Sequence, residues 1–140
     1  MDDQIYAEDV NYWKTSKKTS ADTWLDKAVE LIEQFGGTVN AAAYGKAGSG
    51  SAYMIGFSYG DEKYKIIFPI LPSKTGNEKA ARVQSATLLY YDVKAKILTA
   101  RILGVRTAFF SYLMLPDGRT LSQISTPKLG ENIPTFLLHE

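Results

Sequence analysis

Apolar residues recur every three or four positions between residues 21 and 35, which is the spacing of one helix face. Ser20 is a favourable N-cap residue, and Gly36 followed by Gly37 is typical of a helix end. The pattern therefore predicts an amphipathic helix over 21–35, and its apolar stripe needs another element to cover it.

Three stretches of alternating polarity follow this helix and indicate strands. Gly60-Asp61 is a two-residue hairpin signal between the second and third of them. Pairing Tyr59 with Glu62 sets the register of the hairpin and predicts an antiparallel meander. The predicted strands are 38–46, 51–59 and 62–71.

This register separates two kinds of side chain, because successive residues of a strand point to opposite faces. One face is aromatic and aliphatic, whereas the other is small, flat and basic. The first face comprises Tyr44, Tyr53, Ile55, Phe57, Tyr64, Ile66 and Phe68. The second comprises Ala41, Ala43, Met54, Gly56, Ser58, Lys63 and Lys65.

Helical spacing returns from Glu78 to about Leu103. Some apolar positions in this stretch step alternately by three and four residues, which is typical of a coiled-coil seam. Further apolar residues widen this surface beyond one stripe, so we expect the helix to pack on the sheet with one side and to form a homodimer with a second copy of the chain through another. They are Leu88, Leu89, Leu98, Ile102 and Leu103. The alternative is a monomer whose first helix and C-terminal tail cover the second side. The seam consists of Val83, Ala86, Tyr90, Val93, Ile97, Ala100 and Gly104.

The remaining segments are less regular. Residues 107–115 form a short apolar run whose periodicity does not distinguish a helix from a buried strand, and Pro116 and Gly118 indicate a turn after it.

The fold class predicted is α+β, with an N-terminal helix, a three-stranded antiparallel meander and a long C-terminal helix packed on the sheet. The divisions predicted are an irregular acidic and aromatic arm (1–19), one domain (20–126) and an irregular C-terminal tail (127–140).

Composition agrees with a single globular domain of 140 residues, since 45% are hydrophobic and 22% charged. The absence of Cys excludes disulfides and thiol chemistry, and the one histidine, His139, argues against imidazole catalysis. An acidic N-terminus without an apolar run is unlike a signal peptide, and no stretch is apolar enough to span a membrane. We therefore expect an intracellular protein, in the host cytoplasm if the source is viral.

Charge is unevenly distributed although the net charge is only +1. The middle of the chain, residues 41–130, has a net charge of +7, whereas residues 1–40 have −4 and residues 131–140 have −2. A basic middle between acidic ends favours a surface for a polyanion. The alternative is that these charges are scattered over separate faces.

Two motifs resemble those of enzymes but lack the required context. Residues 56–60 match G-x-S-x-G, yet a hairpin turn and another strand follow where the nucleophile elbow requires a helix. Gly45-Lys46 lacks the remaining residues of a phosphate-binding loop. We therefore predict no enzymatic activity, no catalytic residue, no cofactor and no metal site.

Basic residues that alternate with tyrosines suit single-stranded nucleic acid, because cations neutralise phosphates and aromatic rings stack on bases. Most of the aromatic sheet face can equally be core. Tyr44 and Tyr59 lie near hairpin ends and are the expected accessible rings. The predicted binding residues are Lys46, Lys63, Lys65, Lys74, Lys79, Arg82, Tyr44 and Tyr59.

Several short motifs between about residues 21 and 125 resemble a group of small phage and prophage proteins. They are Phe35-Gly36-Gly37, Ala43-Tyr44-Gly45, the Tyr64–Pro69 strand, Val93-Lys94-Ala95-Lys96 and Tyr112-Leu113-Met114-Leu115-Pro116-Asp117-Gly118-Arg119-Thr120. The chain departs from the group at Ala108-Phe109-Phe110-Ser111, where such proteins tend to be acidic. The resemblance implies a viral or mobile-element setting and supplies no catalytic residues.

These observations together favour a sequence-independent single-stranded DNA-binding protein of phage-type replication or recombination. RNA remains possible as the ligand. The alternative is a protein–protein interaction module, such as a phage adaptor or a host-factor inhibitor, that uses the long helix or the apolar segment at Phe109-Phe110.

Overall fold

The structure, a computed structural model, describes residues 4–10, 19–47 and 50–125. It confirms the predicted α+β architecture of a helix, a three-stranded antiparallel meander and a long helix. The predicted C-terminal tail and most of the predicted arm lie outside the described residues. The elements are α1 (Ala21–Phe35), β1 (Thr38–Ala47), β2 (Gly50–Tyr59), β3 (Glu62–Pro69), α2 (Glu78–Leu103), α3 (Val105–Ala108) and α4 (Leu121–Ser125), with 3₁₀ turns at Ala7–Asp9 and Phe110–Tyr112.

Both ends of α1 follow from local chemistry. Ser20 Oγ accepts a hydrogen bond of 3.1 Å from the backbone N–H of Thr23, which satisfies one of the free donors of the first turn. Gly36 ends the helix at φ 114°, a left-handed conformation that favours glycine. The predicted boundaries of this helix are therefore confirmed.

The sheet has the strand order β1-β2-β3, and β2 and β3 pair in the predicted register. Tyr59 pairs with Glu62 around Gly60, whose φ of 61° suits a tight hairpin. β1 contains an irregularity at Asn40, after which Tyr44 pairs with Tyr53. β3 ends at Pro69, two residues earlier than predicted, although the Ile70 N–H still donates to the Ser51 carbonyl at 2.9 Å.

The core lies between the aromatic face of the sheet and the two long helices. Tyr53, Ile55, Phe57, Tyr64 and Ile66 are buried there, so this face is core and not an open stacking platform. Hydrogen bonds also join the end of the sheet to α2. The Leu71 N–H, just after β3, donates to the Ser85 hydroxyl of α2 at 2.9 Å.

The seam of α2 is covered by the same chain. Ala86, Val93, Ile97 and Ala100 are buried in the core together with the apolar stripe of α1. The alternating spacing therefore reflects packing of α2 on α1 and the sheet. A second copy is not needed to cover these positions.

The segment after α2, which the sequence left undecided, is mostly short helical turns. Its chain then runs beside β3, where Leu113 forms a bridge with Tyr64 and the Met114 N–H donates to the Lys63 carbonyl at 2.9 Å. The predicted turn is present, with Gly118 at φ 86°. The short helix α4 was not predicted, because five residues are too few to show a periodicity.

Candidate nucleic-acid interface

The structure divides the eight predicted binding residues between separate places. One group surrounds a cleft of about 580 Å³ at the end of the sheet where β1 turns into β2 and where α2 begins. The other residues lie on the outer face of the sheet or at its opposite end. Tyr44, Lys46 and Arg82 line the cleft, Lys74 and Lys79 flank it, and Lys63, Lys65 and Tyr59 lie elsewhere.

A stacked cation and aromatic ring form one wall of this cleft. The Arg82 guanidinium lies 4.1 Å from the centre of the Tyr44 ring, and Tyr44 is 41% exposed. The Tyr44 hydroxyl donates to Ser51 Oγ at 3.3 Å, and the ring is tilted against that of Tyr53 with 5.8 Å between centroids. These contacts hold an accessible ring in place beside a permanent positive charge.

Arg82 is only weakly paired with an acidic side chain. Its nearest acidic partner is Asp22 of α1, at 3.8 Å between Nη2 and Oδ1, which is longer than a hydrogen bond. Its Nε is buried and has no hydrogen-bond partner among the described residues. The hydroxyl of Tyr53 lies beside this arginine, and burial raises the pKa of that tyrosine while Arg82 partly offsets the increase. A hydrogen bond with Tyr53 is the main cause of a raised pKa at Arg82, so this arginine keeps its charge beside the cleft.

Lys46 and Lys79 extend the positive charge around the cleft. Lys46 is exposed at the end of β1, two residues beyond Tyr44 and on the same face of the strand. Lys79 is exposed in the first turn of α2, three residues before Arg82 and therefore near it on the helix surface. Within the described part of the chain, neither lysine forms an ion pair.

Lys74 differs because the N-terminal segment neutralises it. Its Nζ lies 2.8 Å from Asp9 Oδ1, and this hydrogen bond raises the pKa of Lys74 and lowers that of Asp9. Glu8 accepts hydrogen bonds from the Ser73 hydroxyl and the Lys74 N–H, which together lower its pKa. The sequence placed Lys74 in a basic group and an acidic arm at the N-terminus, but it did not show which residues of the two pair.

Lys63 and Lys65 occupy the outer face of the sheet, as the strand alternation predicted. Tyr44 points to the opposite face, so these lysines do not join it at the cleft. Lys65 Nζ donates to the Gly118 carbonyl at 3.0 Å and so helps hold the turn against β3. The outer face carries basic and small side chains. Among the described residues, Met54 is its largest exposed apolar side chain, so this face offers no aromatic ring for a base.

Tyr59 lies at the opposite end of the sheet from the cleft. Its ring stacks on Phe35 at 5.2 Å between centroids, with 20° between the ring planes. The side chain is 36% exposed, close to the 41% of Tyr44, and Phe35 occupies one face of its ring as Arg82 occupies one face of Tyr44. Tyr59 and Tyr44 therefore cannot form one continuous platform.

The serine of the G-x-S-x-G motif has the setting that the sequence indicated. Ser58 lies within β2 just before the hairpin, and its Oγ accepts a hydrogen bond of 3.2 Å from Asn40 Nδ2. The strand–turn–helix geometry of a nucleophile elbow is therefore missing. His139 lies outside the described residues. Over the described ranges, no group of three or more His, Cys, Asp or Glu side chains is placed to hold a metal ion.

In the described part of the chain, no helix combines the length and the apolar character needed to cross a membrane. Comparison with protein-family models, with curated proteins and with solved structures gives no match. The resemblance to small phage proteins therefore stays a prediction, and any function has to be argued from the cleft and the surface.

Proposed function

We propose that this protein binds single-stranded DNA without sequence preference, as a non-enzymatic component of phage-type replication or recombination. The observation that supports the proposal is the exposed Tyr44 ring, stacked with Arg82 in an open cleft that also exposes Lys46. An aromatic face gives a base a stacking partner, and neighbouring cations neutralise the phosphates on either side of it.

The cleft suits a single strand better than a duplex. Stacking on Tyr44 requires an unpaired base, because a base within a duplex has both faces covered by its neighbours. Such stacking is tolerant of sequence, since every base has an aromatic face. The proposed contact set is therefore Tyr44 and Arg82 for the base, with Lys46 and Lys79 for adjacent phosphates.

A fluorescence-anisotropy titration of labelled oligo-dT tests the proposal directly. We expect binding that weakens as salt increases and that resists duplex competitor. Labelled oligo-U in a parallel titration distinguishes a DNA preference from general single-strand binding. Absence of binding at low salt would remove the proposed function.

Tyr44→Ala tests the stacking contact, with Tyr59→Ala as the control at the other end of the sheet. Loss of one stacked base is worth about 1–3 kcal/mol, or roughly 5- to 150-fold in Kd. We expect this loss for Tyr44→Ala and little change for Tyr59→Ala. Equal losses for the two variants would contradict the assignment to the cleft.

Charge reversal tests the phosphate contacts with a matched pair of double variants. Lys46→Glu/Lys79→Glu changes the cleft, whereas Lys63→Glu/Lys65→Glu changes the net charge equally on the outer face of the sheet. We expect the first to weaken binding and to reduce the salt dependence by about 0.7 per lost phosphate contact. A larger effect of the second pair would move the site to the outer face.

A second candidate function is protein interaction, including the homodimer predicted from the long helix. Leu98, Ile102 and Leu103 near the end of α2 are 61%, 72% and 62% exposed, and such a group of apolar side chains is typical of an interface. The experiment is light scattering on a sizing column with Ile102→Glu, using Lys94→Glu as the control on the same helix. A dimer that only Ile102→Glu dissociates would support this contact, and a monomeric wild-type protein would exclude the homodimer.

A further inference from the structure

The N-terminal segment places a carboxylate in a ready-made anion site on the loop between β3 and α2. Glu8 Oε2 accepts a hydrogen bond of 2.6 Å from Ser73 Oγ, and Glu8 Oε1 accepts one of 2.8 Å from the Lys74 N–H. Thr75 Oγ1 donates to the same carboxylate at 3.4 Å. Two hydroxyls and a backbone N–H therefore converge on one anionic group.

Two further contacts fasten the same segment to the loop. The Ala7 N–H donates to the Pro72 carbonyl at 2.8 Å, and the Ala7 side chain is buried. Asp9 Oδ1 lies 2.8 Å from Lys74 Nζ. Residues 6–9 therefore form a strap, held by one backbone hydrogen bond, one small buried side chain and two carboxylates.

The donors that hold the strap are also donors that bind phosphate. Hydroxyl groups, backbone N–H groups and lysine ammonium groups bind phosphate oxygens as readily as carboxylate oxygens. Pro72, Ser73 and Gly76 also line the cleft that contains Tyr44 and Arg82. The donors occupied by Glu8 thus adjoin the proposed binding site for a base.

We infer that the Ser73–Thr75 loop is a binding site for a backbone phosphate of the single strand, and that Glu8 and Asp9 occupy its donors until the strand displaces them. This inference rests on the proposed function and deepens it, because it adds a phosphate contact and an intramolecular competitor. Binding of the strand then frees Lys74 to contribute its charge.

Displacement is feasible because the charged contacts of the strap are exposed. The Lys74 and Asp9 side chains are 52% and 41% exposed, and water and salt screen such pairs. Only molecules whose site is open bind the strand, so a competitor that closes the site lowers the apparent affinity in proportion to the fraction of molecules that stay open. Weakening the strap should therefore strengthen DNA binding.

The test compares two double variants that remove two negative charges each. Glu8→Gln/Asp9→Asn weakens the strap, whereas Glu33→Gln/Asp61→Asn changes two exposed acids at the other end of the sheet. In oligo-dT titrations at constant salt, we expect the strap variant to bind at least about threefold more tightly than the control variant. Equal affinities of the two variants would overturn the inference while leaving the proposed function intact.

Hydrogen exchange at the Ala7 amide gives a second readout in the wild-type protein. This N–H is bonded to Pro72 when the strap is in place, so we expect its exchange to accelerate when oligo-dT saturates the protein. An Ala7 amide that stays protected at saturation would overturn displacement. If neither the wild-type nor either variant binds oligo-dT, both the proposed function and the competition are wrong.

Discussion

Phe109 and Phe110 are identical neighbours with opposite environments, and they allow a direct test of how the segment after α2 packs. Phe109 is 1% exposed, whereas Phe110 is 53% exposed. The Phe109 ring meets Phe57 at 5.3 Å and Tyr64 at 6.2 Å between centroids, edge to face in both cases. Phe109→Ala should therefore remove a central contact of the core.

The magnitude follows from these contacts. Burying a phenylalanine side chain stabilises a fold by about 1.5–3 kcal/mol, and each edge-to-face aromatic pair adds about 0.5–1.5 kcal/mol. The rigid strands beneath Phe109 limit collapse around the cavity, so the expected total is about 3–5 kcal/mol. Phe110→Ala, at an exposed site, should change the free energy of unfolding by about 0.5 kcal/mol or less.

Urea denaturation followed by far-ultraviolet circular dichroism measures both values in the same buffer. The dependence of the unfolding free energy on urea should stay the same in both variants, since the fold is retained. A Phe109→Ala loss of less than about 1 kcal/mol, or equal losses for the two variants, would refute the packing of this segment in the core.

Two further predictions concern a close contact and two tyrosines. In Gly37→Ala the new Cβ would lie 2.7 Å from Ile32 Cγ2, so we expect a loss of about 1–3 kcal/mol in urea denaturation, whereas Gly56→Ala, with open space around it, should be nearly neutral. An equal effect at both glycines would contradict the close contact. Burial raises the pKa of both Tyr64 and Tyr112 to about 12, with Glu62 adding to the effect at Tyr64. The fold favours the neutral phenol of each tyrosine, so burial of the two phenols stabilises the protein fully below pH 10, the ordinary pKa. This stabilisation is lost as the pH rises from 10 to about 12. An ultraviolet titration of tyrosinate should show Tyr64 and Tyr112 ionising late, together with Tyr53, whose pKa burial also raises. Complete ionisation of the tyrosines near pH 10 in the folded protein would contradict this prediction.

Local patterns in the sequence were sufficient for the two long helices and the three strands, but not for the short helices α3 and α4. Ser20 and Gly36 mark the ends of α1 through capping and backbone conformation, which depend on near neighbours alone. Alternation around Gly60 fixed the register of β2 and β3, because a shift of one residue would exchange the two faces of the sheet. The aromatic face could therefore be listed residue by residue before the fold was known.

These patterns did not show which element covers the apolar seam of α2. The alternating spacing of α2 predicted a seam, but a helix stripe shows only that something packs there. In the fold α1 and the sheet cover Val93 and Ile97, whereas Leu98 and Ile102 remain exposed. The exposed residues lie beside the seam, and the predicted homodimer stays a prediction.

The candidate site depended even more on distant contacts. Lysines and tyrosines could be counted from the sequence, and Tyr44, Lys46 and Arg82 were among the residues selected. Their convergence at one cleft, and the separation of Tyr59 from it, arise from the way α2 crosses the end of the sheet. The neutralisation of Lys74 by Asp9 is equally non-local.

The sequence by itself thus determined the order of the elements, the strand register and which face of each element is apolar, because these depend on near neighbours and on periodicity. Only the tertiary structure decided that Phe109 is buried while Phe110 is exposed, and that Arg82 stacks on Tyr44. Those outcomes depend on the crossing and spacing of elements far apart in the chain. Residue type and local spacing do not specify such contacts.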